Sequence, residues 1–315
     1  MKLDFFYVMS NLVSLFIIAA VGYAAARSGL VHEKDTAPLS ALLMKVTMPC
    51  TIFISLVQRE YNPAFINDSI IMLIAGITVF PAMLYIAKYT ASLLKVPKNC
   101  RGLWAFAATI TNAGFMGFPI ALALFGSEGL ALAVTLNITY NVSVFTVGVM
   151  ELSRDNPENK SHKIDIKSFV FSSVNYAIVL SLIFYFGRIK LPSMIATPLI
   201  YISNVTTPLS MMIIGMILAR SKWAELFTDK HAWTCALMGL LIFPLSLCLI
   251  FRIFPLGSNP LTGAVLILTV SMPSASITAA LSEMYHCNVN FAAKAMFIQN
   301  IFCVLTIPLV CMMIG

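Results

Sequence analysis

The sequence predicts an all-α membrane protein of ten transmembrane helices, and three observations predict it. Of its 315 residues 59% are hydrophobic and only 10% charged, far from the balance of a soluble domain. The apolar residues fall into ten runs, at 5–26, 38–57, 67–87, 102–125, 129–150, 168–187, 197–219, 232–253, 261–281 and 291–313. Each is close to the roughly 20 residues a helix needs to cross about 30 Å of hydrocarbon. The longest polar gap, Glu151 to Lys167, leaves no room for a soluble domain.

The first run follows Lys2 and ends in Ala24, Ala25 and Ala26, a superficial likeness to a cleaved signal. Asp4 spoils the cationic start, and the run exceeds the ~7–15 residues of a signal's apolar region, so a retained helix is expected. The second run carries Lys45 and Pro49, and the third Pro81. The fourth is interrupted at its middle by Asn112, Gly114, Gly117 and Pro119. Non-helical backbone at bilayer depth is tolerated only where protein or water covers it, so this run is expected to line a cavity. Asn137, Thr139 and Asn141 recur at helical spacing in the fifth run. The sixth is plain, and the seventh and eighth carry Pro208 and Pro244. The ninth gathers Thr269, Ser271, Ser274, Ser276 and Thr278 around Pro273, a second expected break, and the tenth holds Gln299 and Asn300.

The formal charge of +7 is explained by its placement. Loops on one side carry thirteen Lys and Arg and those on the other five, which by the positive-inside rule puts both termini outside the cytoplasm. No basic and aromatic cluster suggests nucleic acid. Seven cysteines show neither CxxC nor metal-ligand spacing, so no metal and no cofactor is expected. HExxH ligands, a paired aspartate within a span and a nucleophile with a histidine base are all missing, which argues against an intramembrane enzyme.

An internal repeat organises the runs. Pro49 recurs as Pro208, Pro81 as Pro244, Pro119 as Pro273 and Asn141 as Asn300, at offsets of 159, 163, 154 and 159 residues. Four pairs in one order at nearly one offset favour duplication. The expected units are residues 1–150 and 168–315, joined by a cytoplasmic loop at 151–167. Five spans per unit is an odd number, so the second copy enters the membrane from the opposite face. Such inverted repeats place a site near the midplane, at discontinuous helices in matching positions, here spans four and nine.

The chemistry available there suits an anion. A half-helix N-terminus carries partial positive charge and unpaired N–H groups. Asn112 adds an amide donor, and Gly114 and Gly117 let backbone approach. On the plainer reading Asn112 caps a half-helix and the glycines permit helix packing. Ser271 and Ser274 either bind a ligand or cap freed backbone groups. Asn141 and Asn300 either face the cavity or serve as interhelical glue. Lys45, about two turns into its span, either attracts an anion or snorkels to the interface.

These residues together resemble the auxin efflux carrier family, in its bacterial, organic-acid-transporting branch, along nearly the whole chain. Gly22, Tyr23, Arg27 and Gly29 look like its first span and exit, and Pro49, Ile52 and Phe53 like its second-span proline motif. Asn112, Gly114, Phe115, Gly117 and Pro119, continuing to Phe125, Gly126 and Gly129, are similar to its fourth-span crossover motif. Pro273, Tyr285 and Pro308 fall where its C-terminal half carries like residues. The resemblance implies two inverted five-helix repeats, helices crossing at Pro119 and Pro273, and a carboxylate substrate met by Asn112. The substrate class it implies is malate-like, malonate-like or aromatic. The chain departs from plant members in lacking their large central loop and a second proline in span nine. The expected protein is therefore a multi-pass inner-membrane transporter of small organic anions, with lipid and substrate as partners and a homodimer as one assembly. A sodium-coupled carrier of the bile-acid type and a non-transporting sensor on the same scaffold are the alternatives.

Overall fold

The structure, a computed structural model, describes residues 5–155, 173–219, 229–257 and 259–314. Every regular element among them is helical. Seven helical stretches are long and apolar enough to cross a membrane, and two shorter apolar helices accompany them. Residues 156–167 of the expected connecting loop lie outside the described residues, as do Lys2, Arg220 and Lys222 of the charge count.

Helix α1 is Phe5–Arg27. Helices α2, Glu33–Leu42, and α3, Met48–Val57, form one span joined by a single π-turn at Leu43–Thr47. Proline explains that turn, because Pro49 has no N–H to give the usual ladder and its ring crowds the preceding turn. The same device precedes Pro119, at Ala113–Gly117, and Pro244, at Met238–Ile242. Helix α4, Pro63–Leu93, opens on Asn62, whose Oδ1 accepts from Ala64 N at 2.9 Å. This is an ordinary N-cap with proline at the first helical position.

Span four is two pieces. Helix α5, Arg101–Thr109, stops; residues 110–112 are not helical; and a π-turn from Ala113 leads into α6, Phe118–Ser143. Helix α6 is not straight. From residue 113 to 140 a straight helix would run roughly 40 Å at ~1.5 Å per residue, yet Tyr140 Oη donates to Thr111 O at 2.6 Å. The chain turns back at Gly126, whose φ of 66° and ψ of −162° belong to a region that only glycine enters at ease. Spans four and five thus form one hairpin.

A further π-turn at Val144–Gly148 leads to α7, Val149–Asp155, which carries the helix into the stretch expected as loop. Its residues have work there. Asp155 accepts from Gly102 N at 2.8 Å and Leu103 N at 2.7 Å, capping the start of α5, where a carboxylate also meets the positive end of the helix dipole. Glu151 is wholly buried and paired with both Lys88 and Arg154.

The second half is built from α8, Ser173–Phe186; α9, Ser193–Ala219; and α10, Lys230–Leu237, continued through its π-turn as α11, Phe243–Ile253. Span nine is again two pieces, α12 at Pro260–Val270 and α13 at Ile277–Met284, before α14 at Val289–Ile314. Helix α1 packs along α9 with almost nothing between them. A Cβ on Gly215 would sit 1.8 Å from Ala19 O, and one on Gly22 2.1 Å from Met212 O, so the two backbones touch, as small residues allow in lipid.

Candidate functional site

The two interruptions meet. Residues 110–112 and 273–275 run antiparallel for one bridge, Thr111 opposite Ser274. Asn112 N donates to Pro273 O at 2.7 Å and Ala275 N to Ile110 O at 3.0 Å. Each broken span thereby satisfies the other's stranded backbone, which hydrocarbon would otherwise leave unpaired. Two side chains complete the joint. Tyr140 holds Thr111 O from one side. On the other, Gln299 donates from Nε2 to Ala107 O at 3.0 Å and accepts from Ser274 N at 2.9 Å. Tyr140 and Gln299 stand one position before Asn141 and Asn300, at the same offset of 159 residues.

A cavity of about 530 Å³ adjoins the crossing. Its wall includes Lys45, Thr111, Asn112, Gly114, Phe115 and Asn141, with Met44, Met48, Phe118 and Phe145 as its apolar part. The first residues of two helical segments belong to it, Ala113 and Gly114 from one, Ser276 and Ile277 from the other. Asn112 is 7% exposed, and its Oδ1 accepts from Phe115 N at 3.2 Å. It is therefore an N-cap with an amide NH2 left over. Lys45 forms no ion pair among the described residues, and it is exposed at the cavity wall.

The residues singled out from sequence are distributed unevenly. Lys45, Asn112, Gly114, Phe115 and Asn141 share this cavity. Pro273 accepts the Asn112 backbone, and Ser274 donates to Gln299 while its Oγ pairs with Thr278 at 3.0 Å; both belong to the joint rather than the wall. Ser271 turns its hydroxyl to Leu268 O at 2.7 Å, capping the end of α12. Gly117 and Pro119 belong to the π-turn and the α6 start just beyond it. Asn300 opens on a separate apolar cavity of about 240 Å³ beside Phe16 and Met211. Neither Gly114 nor Gly117 is forced by neighbouring backbone: a Cβ on Gly114 would meet nothing within 4 Å, and one on Gly117 nothing nearer than 3.6 Å.

Sequence reasoning passes over Thr111 and Tyr140, and names Ser276 only as one of the hydroxyl residues around Pro273. Thr111 is the most telling, since its buried Oγ1 has, among the described residues, only the Tyr140 hydroxyl beside it while the residue lines the cavity. A buried hydroxyl this sparsely satisfied is available to a bound ligand or water. Its only sequence signal is a position one residue before Asn112.

Paired breaks inside a bundle of membrane-length helices, opening on a polar-tipped cavity, define a multi-pass membrane transporter. The chain belongs to the membrane transport protein family, that of the auxin efflux carriers, whose profile matches residues 7–311. It is similar to an uncharacterized transporter of Methanocaldococcus jannaschii, 25% identical over 96% of this chain and 97% of that protein. It is also similar to an uncharacterized transporter of Methanothermobacter thermautotrophicus, 28% identical over 95% of this chain and 96% of that one.

Proposed function

We propose that the protein is a secondary transporter of small organic anions that works by alternating access around the crossing of spans four and nine. The observation that carries this reading is the convergence on one cavity of two helical N-termini, the spare Asn112 amide and the unpaired Lys45. An ionised carboxylate fits those donors. Each helix N-terminus contributes roughly 0.3–1 kcal/mol toward an anion, and up to ~2 where partly buried. A cation 4 Å away adds up to about 4 kcal/mol at an effective dielectric near 20. Thr111, Asn137 and Ser276 supply hydroxyl and amide contacts, and the Met and Phe wall takes the carbon skeleton.

The ten-span, inverted-repeat arrangement belongs to the same proposal, with units at 1–150 and 168–315. Its support is local likeness at matching positions. Asn141 Nδ2 donates to Asn137 O at 2.8 Å, and Asn300 Nδ2 to Met296 O at the same distance. The Tyr140 and Gln299 contacts fall one residue earlier in each copy. Both termini lie on the non-cytoplasmic side in this reading, in the inner membrane, and the protein performs no catalysis.

The test is a thermal-unfolding screen of purified protein against dicarboxylates and aromatic carboxylates, with and without sodium and across pH. A true ligand at 100 times its Kd stabilises by about 2.7 kcal/mol. Asn112→Ala removes that stabilisation and uptake into proteoliposomes, while its own loss of capping lowers stability by only about 1 kcal/mol. Full uptake by Asn112→Ala removes the residue from the site, and stabilisation that requires sodium redirects the reading to a sodium-coupled carrier.

A further inference from the structure

A third cavity, of about 310 Å³, lies beyond the one at the crossing, further along α3 in the direction of Arg59. Its wall is polar: Thr51, Ser55, Gln58 and Arg59 from α3 and the turn after it, Ser203 and Asn204 from α9. The two cavities stand end to end. Met48 lines the larger and Thr51 the smaller, on the same helix, while Phe118 and Leu122 stand in the same relation on α6. These lining residues are three and four positions apart, about one helical turn, or roughly 5 Å. Lys45 and Arg59 are fourteen residues apart, or roughly 21 Å along a helix, so among the described residues each cavity has one cation.

Arg59 differs from Lys45 in being held. Its Nη2 lies 3.0 Å from Glu128 Oε1, with side chains 14% and 45% exposed, and its guanidinium sits 4.0 Å over the Phe65 ring. Glu128 is not on α3; it follows Gly126 at the tip of the hairpin formed by spans four and five. Among the described residues, no carboxylate lines the small cavity. A half-exposed ion pair is weak, because water competes for both ends and the side chains give up freedom to hold it. A guanidinium held over a ring keeps its N–H edges free to take a carboxylate in two-pronged fashion.

We infer that Arg59 and the small cavity beside it form a second anion-binding station, for a carboxylate, at the opposite end of the path from Lys45, and that in this state Arg59 is held by the Glu128 carboxylate at the cavity's edge. This rests on the organic-anion reading above. Glu128 stands in for the substrate's own carboxylate, and its departure frees Arg59 to accept one. The hairpin that carries Glu128 also carries Asn112 and Asn141, so the lock on one cavity is covalently continuous with the wall of the other.

The experiment uses two thiol reagents of similar size, an anionic sulfonatoethyl and a cationic trimethylammonioethyl methanethiosulfonate. Rates are normalised to those with free 2-mercaptoethanol and corrected for the parent protein's cysteines. The reporter thiol is introduced by Asn204→Cys, at an exposed position on the small cavity's wall. Adding Glu128→Gln raises the normalised anion-to-cation rate ratio about fivefold. Adding Arg59→Gln as well returns it to the starting value, and Arg59→Lys retains most of the rise. An unchanged ratio in Glu128→Gln overturns the inference, and so does a rise that survives Arg59→Gln. Glu128→Ala replaces Glu128→Gln if the latter lacks a cooperative unfolding transition. A Ser276→Cys reporter in the large cavity separates the two readings. Anion preference there without any at Asn204→Cys sinks the second station alone, whereas none at Ser276→Cys sinks the organic-anion reading itself.

Discussion

Replacing Gln299 by methionine keeps the volume of the side chain and removes its polar end. Gln299 is 1% exposed, donates to Ala107 O and accepts from Ser274 N. Ala107 lies in the last turn of α5, beyond the reach of that helix's own ladder, and Ser274 belongs to the break in span nine. With methionine both backbone groups are orphaned in a water-free place, at about 1–3 kcal/mol each. Partial relaxation leaves a net loss near ~3 kcal/mol. At roughly 2–4 °C per kcal/mol for a large domain, the unfolding midpoint in detergent falls by about 6–12 °C. Gln299→Glu keeps the acceptor for Ser274 N but sets a carboxylate against the Ala107 carbonyl, and is at least as damaging. The assay is a fluorescence-monitored melt of the three proteins under one detergent condition. A Gln299→Met midpoint within about 1 °C of the parent would refute the idea that this amide holds the crossing together.

Lys45→Met weakens anion binding at least tenfold by calorimetric titration while leaving the melt unchanged, because Lys45 is exposed and, among the described residues, unpaired; Lys45→Arg keeps most of the affinity. Gly215→Ala forces a methyl to within 1.8 Å of Ala19 O and lowers the midpoint by several degrees, in line with the roughly 1–3 kcal/mol of overpacking. Gly114→Ala, with nothing within 4 Å of its Cβ, leaves the midpoint alone and lowers ligand affinity if substrate meets the backbone there. The Cys287 thiol is pushed up to about 12 by burial, then by the nearby Asp155 carboxylate and Cys100, all of which disfavour the thiolate. Its alkylation at pH 8 is therefore about 10³-fold slower than that of an ordinary thiol and climbs roughly tenfold per pH unit between 9 and 11, measured by mass spectrometry of the labelled peptide.

The breaks in spans four and nine are legible in the sequence because Pro119, Pro273 and the flanking glycines and serines leave local chemistry no good helix to form. The hairpin between spans four and five is legible as a gap at Gly126. Pro49 and Pro244 are a lesson in degree: each leaves only a π-turn, and the helix runs on. What holds the crossing together is less legible. Tyr140 and Gln299 look in sequence like any polar residue inside a span, and only the fold decides which stranded carbonyl or N–H each one reaches. Ser271 carries the same ambiguity and resolves the other way, toward its own helix end. The pairs Arg59 with Glu128 and Asp68 with Asn259 join residues 69 and 191 positions apart, and no local pattern announces either.

The contact of α1 with α9 has a mechanical consequence. Where Gly22 and Gly215 bring main chain against main chain, no rotamers remain to cushion a sliding motion, and any shift would drive carbonyl oxygens into neighbouring atoms. These two helices are consequently a single stiff plank. In the proposed alternating-access reading, the rearrangement that carries cargo across is taken up at the looser seams, where methionine and phenylalanine flank open volume, and the plank supplies the fixed surface against which that movement is made.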